Sequence, residues 1–133
     1  MRTKVLIPRI LMLLYVSAVA FLCFHRFSSM PSVPTTLLGI PMDKIAHFCM
    51  FLPFPVIAAM CFDKVPAKQW QIIAASIAVL AAGCVFAALT EIIQSRLSYR
   101  TGDKIDFLAD ALAMTIGSVA TVVILTRKRN TNA

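Results

Sequence analysis

Charge is scarce in this sequence. Asp, Glu, Lys and Arg together make up 14% of its 133 residues, where a soluble domain carries about a quarter. Apolar residues make up 59%. A water-soluble domain of this size has too much surface to hide so much apolar side chain, so a soluble fold is excluded. The four cysteines, Cys23, Cys49, Cys61 and Cys84, include no CxxC pair and no zinc-finger spacing. They lie in apolar tracts and read as small buried hydrophobes, with one Cys23–Cys49 disulfide left open. An HExxH motif is missing, and so is any basic stripe interleaved with aromatics. The formal charge of +7 therefore does not point to nucleic acid. Anionic lipid headgroups are the expected partner of the short basic clusters. There is no internal repeat and no second domain, so residues 1–133 are expected to form a single unit.

What is present is four long apolar tracts, each near the ~20 residues that cross a bilayer core. They predict an all-α, four-helix transmembrane bundle with helices over about 5–24, 43–62, 67–95 and 104–126. The first tract begins MRTK like a secretory signal, but it is long for one and no A-x-A-like site follows it, so it reads as a retained helix. Pro8 falls in its first turn, where proline is tolerated. Pro53 and Pro55 fall inside the second tract and predict a kink there. Trp70 is placed to anchor the third helix at the membrane interface. The segment between the first two helices, rich in proline, has no helical period.

Lys and Arg distribute unevenly between the two sides. Arg2, Lys4, Arg9, Lys64, Lys68, Arg127, Lys128 and Arg129 fall on one side, and Arg26, Lys44, Arg96, Arg100 and Lys104 on the other. By the positive-inside rule both termini are cytoplasmic. Of the six acidic residues, only Asp63 is then inside. Asp43, Glu91, Asp103, Asp106 and Asp110 gather at the outer end. Trp70 and Glu91 are separated by about 32 Å of helix at ~1.5 Å per residue, so Glu91 sits near the outer edge of the hydrocarbon. Asp106 has the same separation from Arg127, and Asp110 is one turn deeper.

The spacings Asp43/His47, Glu91/Gln94 and Asp106/Asp110 are i,i+4 or i,i+3, so each pair is expected to share a helix face. The last two faces continue as Ala87/Gly83 and Ala113/Gly117. Small residues at this spacing let membrane helices approach closely, which turns the acidic faces into the bundle. Asp43, His47, Glu91, Gln94, Arg100, Asp106 and Asp110 are thus the candidate site residues.

A purely structural role is the bland explanation. Asp106 in a first turn suits the helix dipole, Arg100 pairs with Glu91 or Asp106, His47 bonds a carboxylate, and Lys44, Arg96 and Lys104 sit in water or at headgroups. Against it stands the cost of ionisable groups in a membrane, a few kcal/mol each. Asp, Glu and His ligands suit Zn, Mn or Mg, yet no usual zinc pairing occurs, so neither metal nor cofactor is expected. No serine or threonine is linked to His47 by a nucleophile spacing, while acid–base catalysis by His47 with Glu91 is allowed. A proton-coupled transporter is disfavoured, because the inner halves of the third and fourth helices carry no ionisable residue. Recognition of an outer-leaflet lipid or lipid-linked cell-wall precursor fits the location best, with Arg100 supplying a bidentate grip on phosphate or carboxylate.

DKIAHF at 43–48, LTEIIQ at 89–94 and RTGDKIDFLADALAMTIG at 100–117 resemble three motifs of the VanZ-like family. These are a DKxxHF that opens a membrane helix, an ExxQ, and an RxxxxxDxxxN segment followed by glycines. The family comprises small bacterial polytopic membrane proteins, named for a member tied to teicoplanin resistance. The resemblance carries over to Asp43, Lys44, His47, Glu91, Gln94, Arg100 and Asp106. Asp110 stands where the family usually has Asn, and Ala113 where it often has Gly. The resemblance implies a multi-pass protein of the bacterial cytoplasmic membrane, acting in the cell envelope, with an effect on glycopeptide sensitivity. An intramembrane acid–base or metal-assisted enzyme acting on a lipid-linked substrate is the alternative.

Overall fold

The computed structural model describes residues 3–25, 36–62, 64–99 and 102–131. Their elements run α1 (Thr3–Phe24), β1 (Thr36–Leu37), β2 (Ile40–Pro41), α2 (Met42–Phe51), α3 (Phe54–Met60), α4 (Gln69–Gln94) and α5 (Lys104–Thr131). Among the described residues, α1, the α2–α3 pair, α4 and α5 give four segments long and apolar enough to cross a membrane. The chain is therefore a multi-pass membrane protein with an all-α bundle. Its outward surface agrees: Leu13, Leu14, Ile77, Val85, Leu108 and Val119 are all exposed, a belt that only lipid would cover favourably.

The second crossing is broken rather than merely bent. Leu52 and Pro53 separate α2 from α3. Pro53 and Pro55 lack the N–H groups that an unbroken helix would offer to the carbonyls of Cys49 and Phe51. Pro55 falls in the first turn of α3, where a missing N–H costs nothing. Neighbours seal the break. The Tyr15 hydroxyl of α1 donates to the Met50 carbonyl, and α5 presses Gly117 against it. A Cβ on Gly117 would lie 2.5 Å from the Leu52 carbonyl oxygen and 3.1 Å from Pro55 Cδ.

α5 is the central helix, packed on α2, α3 and α4, while α1 lies outside against α3 and α4. The core between them is Phe51, Phe54, Ala87, Ala113 and Met114. Gly83 lets α4 and α5 close up, since a Cβ there would strike Met114 Sδ and come within 2.9 Å of the Phe54 ring. Gly83, Ala87, Ala113 and Gly117 are all buried, so the small-residue faces do point inward as their spacing predicts.

Other expectations meet local corrections. α5 continues past 126 to Thr131, because the basic run at its end favours the C-terminal dipole. The segment before α2 carries a two-stranded antiparallel ribbon, Thr36 opposite Pro41 and Leu37 opposite Ile40. Its two-residue turn puts Leu38 at φ 52° and Gly39 at φ 81°, the signs of a type I′ turn. Cys23 is buried and Cys49 exposed, and none of the cysteines forms a disulfide among the described residues.

Candidate functional site

The polar site sits where α2, α4 and α5 meet. α2 contributes Lys44 and His47, α4 contributes Glu91, and α5 contributes Asp106 and Asp110. The connection ahead of α5 adds Asp103. That residue caps α5: Ile105 N–H donates to Asp103 Oδ1 at 2.9 Å, and the Asp103 carbonyl accepts from Asp106 N–H at 3.0 Å. An aspartate immediately before a helix is the usual N-cap signal. Gly102 makes the tight approach feasible, because a Cβ on it would lie 2.8 Å from Ser95 Cβ and 2.9 Å from the Glu91 carbonyl oxygen. Asp103 N–H in turn donates to Glu91 Oε2 at 3.0 Å. The connection is thereby folded back over the end of α4.

Lys44 ties this layer together. Its Nζ donates to Asp103 Oδ2 at 2.7 Å and to Asp106 Oδ1 at 2.8 Å. The Lys44 side chain is 15% exposed and that of Asp106 8%, so the pair is largely withdrawn from solvent. The Lys44 ammonium, and then the Ile105 N–H, hold the Asp103 carboxyl below the usual carboxylate range.

One turn deeper lies a second pair. His47 Nδ1 is 3.1 Å and 3.3 Å from the two Asp110 oxygens, and one proton serves this contact. Asp110 is fully buried and His47 nearly so. Glu91 Oε1 approaches the same ring nitrogen at 3.9 Å, too far for a hydrogen bond. Among the described residues, that buried oxygen has no hydrogen-bond partner at all. Leaving a buried acceptor unmet costs about 1–3 kcal/mol, more for a charged group.

Of the residues the sequence singles out, His47, Glu91, Asp106 and Asp110 come together here. Asp43 does not. Its side chain is half exposed and, among the described residues, reaches only Lys44, at 3.6 Å. Gln94 is buried but faces α1, where its Nε2 donates to the Cys23 carbonyl at 2.9 Å. It is a helix-to-helix tie, not part of the polar layer. Arg100 lies outside the described residues. Lys44, carried by the motif resemblance but not by the helix spacings, and Asp103 are the members outside the candidate set.

The layer opens sideways. Between the site end of α4 and the start of α5 runs a groove of about 620 Å³. Its polar end is Glu91, Asp103 and Lys104, and its walls include Ile92, Phe107 and Leu108. Ile92 and Leu108 belong to the exposed apolar belt, so the groove faces the lipid. Its size falls in the range of small-molecule sites. Chemically, the layer offers an imidazole held by one carboxylate, a second carboxylate with an unmet oxygen, and an ammonium already engaged by two acids. Comparisons of the chain with family models, curated proteins and solved structures returned no match.

Proposed function

We propose that this chain is a VanZ-like protein of the bacterial cytoplasmic membrane, with both termini inside, that binds an outer-leaflet amphiphile in the α4–α5 groove. The observation that carries this reading is the groove itself, apolar along its length and ending on Glu91, Asp103 and Lys104. A tail in the lipid would run along Ile92, Phe107 and Leu108. The headgroup would reach the polar end, where two carboxylates accept from hydroxyl or amine donors and Lys104 meets a phosphate. A lipid-linked sugar precursor of the cell wall has this chemistry, and sequestering or presenting it would change glycopeptide sensitivity.

Photocrosslinking tests the reading. A photoreactive residue at Leu108 should capture a lipid-linked saccharide in membranes, and one at Ile77, on the other half of α4, should not. Capture of bulk phospholipid alone at both positions contradicts it. Loss of the gene should also shift teicoplanin susceptibility.

A second reading is favoured by one contact, the buried His47–Asp110 pair at 3.1 Å with Glu91 beside it. That arrangement suits acid–base chemistry on the headgroup. Recovery of the captured lipid chemically altered by the wild type and unaltered by H47Q would favour it over simple binding.

A further inference from the structure

We infer that His47, Glu91 and Asp106 form a binding site for a divalent transition-metal ion, with Zn²⁺ the best match. One ligand atom from each of the three lies within 4.8 Å of the others. They come from three different helices, α2, α4 and α5, so the grouping is made by the fold and not by one helical repeat. The His47 and Glu91 side chains are 4% and 11% exposed.

The independent pointer is Glu91 Oε1. A set of charges serving only as a staple would place a donor on every buried oxygen. Lys44 answers Asp103 and Asp106, Asp103 N–H answers Glu91 Oε2, and His47 answers Asp110. Among the described residues of this layer, Glu91 Oε1 alone is left over, buried and aimed at His47 Nδ1 at 3.9 Å. An oxygen and a nitrogen at that distance are too far apart to bond each other but can share a cation. Ligand atoms on a tetrahedral zinc ion lie roughly 3.3 Å apart, given bonds of about 2.0–2.1 Å. The triad needs only a modest closure, which the three rotatable bonds of Glu91 allow.

Ligand type narrows the ion. One imidazole with two carboxylates is a poor set for Ca²⁺ or Mg²⁺, which take oxygen ligands. It also lacks the thiolates that a soft ion prefers. Lys44 fixes Asp106 through Oδ1, as the outer partner of a ligating side chain does, while Asp110, whose contact is with the same Nδ1, gives up that hydrogen bond when the ion binds. Among the described residues, four carboxylates gather in this layer around the Lys44 ammonium, so a dipositive ion also relieves their repulsion. On binding, the ion takes the place of the proton on the ligating nitrogen, and that proton goes to solvent. Glu91 also lines the groove, so a fourth ligand from water or a headgroup enters from that side. The inference does not rest on what occupies the groove.

The test uses the full-length protein in detergent, stripped with chelator. Zn²⁺ should raise the melting temperature by about 5 °C or more at a hundredfold excess over the dissociation constant. Co²⁺ should give visible ligand-field bands at one ion per chain, without the charge-transfer band of a cobalt–thiolate bond. E91Q should remain folded without metal and lose both responses. D106N should weaken binding at least tenfold. The inference is overturned by a wild type with neither response, by an equal response in E91Q or D106N, or by cobalt bound through cysteine.

Discussion

Replacing Lys44 by methionine isolates the ammonium that organises the polar layer. Methionine keeps most of the apolar stem, so packing on α2 changes little. What is lost is the partner of two carboxylates. The Asp103 side chain is 39% exposed, and an exposed pair contributes little. Asp106, 8% exposed, is different: removing one partner of a buried pair strands a charge and costs about 3–5 kcal/mol. Lys44 keeps some solvent contact, so K44M should cost ~3 kcal/mol, roughly a hundredfold in the folding equilibrium. Adding Asp106→Asn removes the stranded charge and should restore most of that loss, giving a coupling energy of about 2 kcal/mol in the double-mutant cycle. Reversible unfolding of metal-free protein in mixed detergent micelles, followed by helical circular dichroism, reads all four proteins. The reasoning fails if K44M lies within about 0.5 kcal/mol of wild type, or if the double variant is no better than K44M.

Two further outcomes follow from packing and titration. Gly117→Ala should destabilise by about 1–3 kcal/mol, since its Cβ would meet the Leu52 carbonyl and Pro55; an unchanged melting temperature would show that α5 does not approach the α2–α3 break. Asp103→Asn keeps a capping oxygen but loses the charged bridge. Because Lys44 lowers the folded-state pKa of Asp103, the bridge stabilises above the unfolded value of about 3.9 and is lost as pH falls through the folded value. The stability gap between wild type and D103N should therefore be flat near neutrality, begin to shrink below about pH 4 and vanish once the pH is below the folded value. A gap that survives in strong acid, or that titrates near neutrality, contradicts the bridge.

Much of the fold was legible because lipid imposes simple rules. Apolar length gave the four crossings, Pro53 and Pro55 marked the break, and the Gly83/Ala87 and Ala113/Gly117 spacings marked the inward faces. The site was legible only in part, and the reason is geometric. On a helix of ~3.6 residues per turn, His47 shares a face both with Asp43, four before it, and with Lys44, three before it. Spacing alone does not choose between them. Here the inward direction falls between Lys44 and His47, leaving Asp43 at the rim. The Glu91/Gln94 pair poses the same ambiguity, resolved by α1, whose Cys23 carbonyl takes Gln94. Asp103 belongs to no helix face, so periodicity could not find it, although its N-cap signal stood in the sequence. The sideways groove depends on how α4 and α5 diverge at their ends, which no single-helix pattern encodes.

The claim that matters most is that Glu91 is retained for a ligand and not for the fold. Gln in its place keeps an oxygen for Asp103 N–H and removes the charge whose other oxygen is buried without a donor. The decisive measurement is the unfolding free energy of E91Q beside wild type, both stripped of metal. Site residues are commonly kept at a cost to stability, so E91Q should match wild type or exceed it by up to ~1 kcal/mol. A loss of about 2 kcal/mol or more would make Glu91 a structural partner and remove the basis for a ligand at this site.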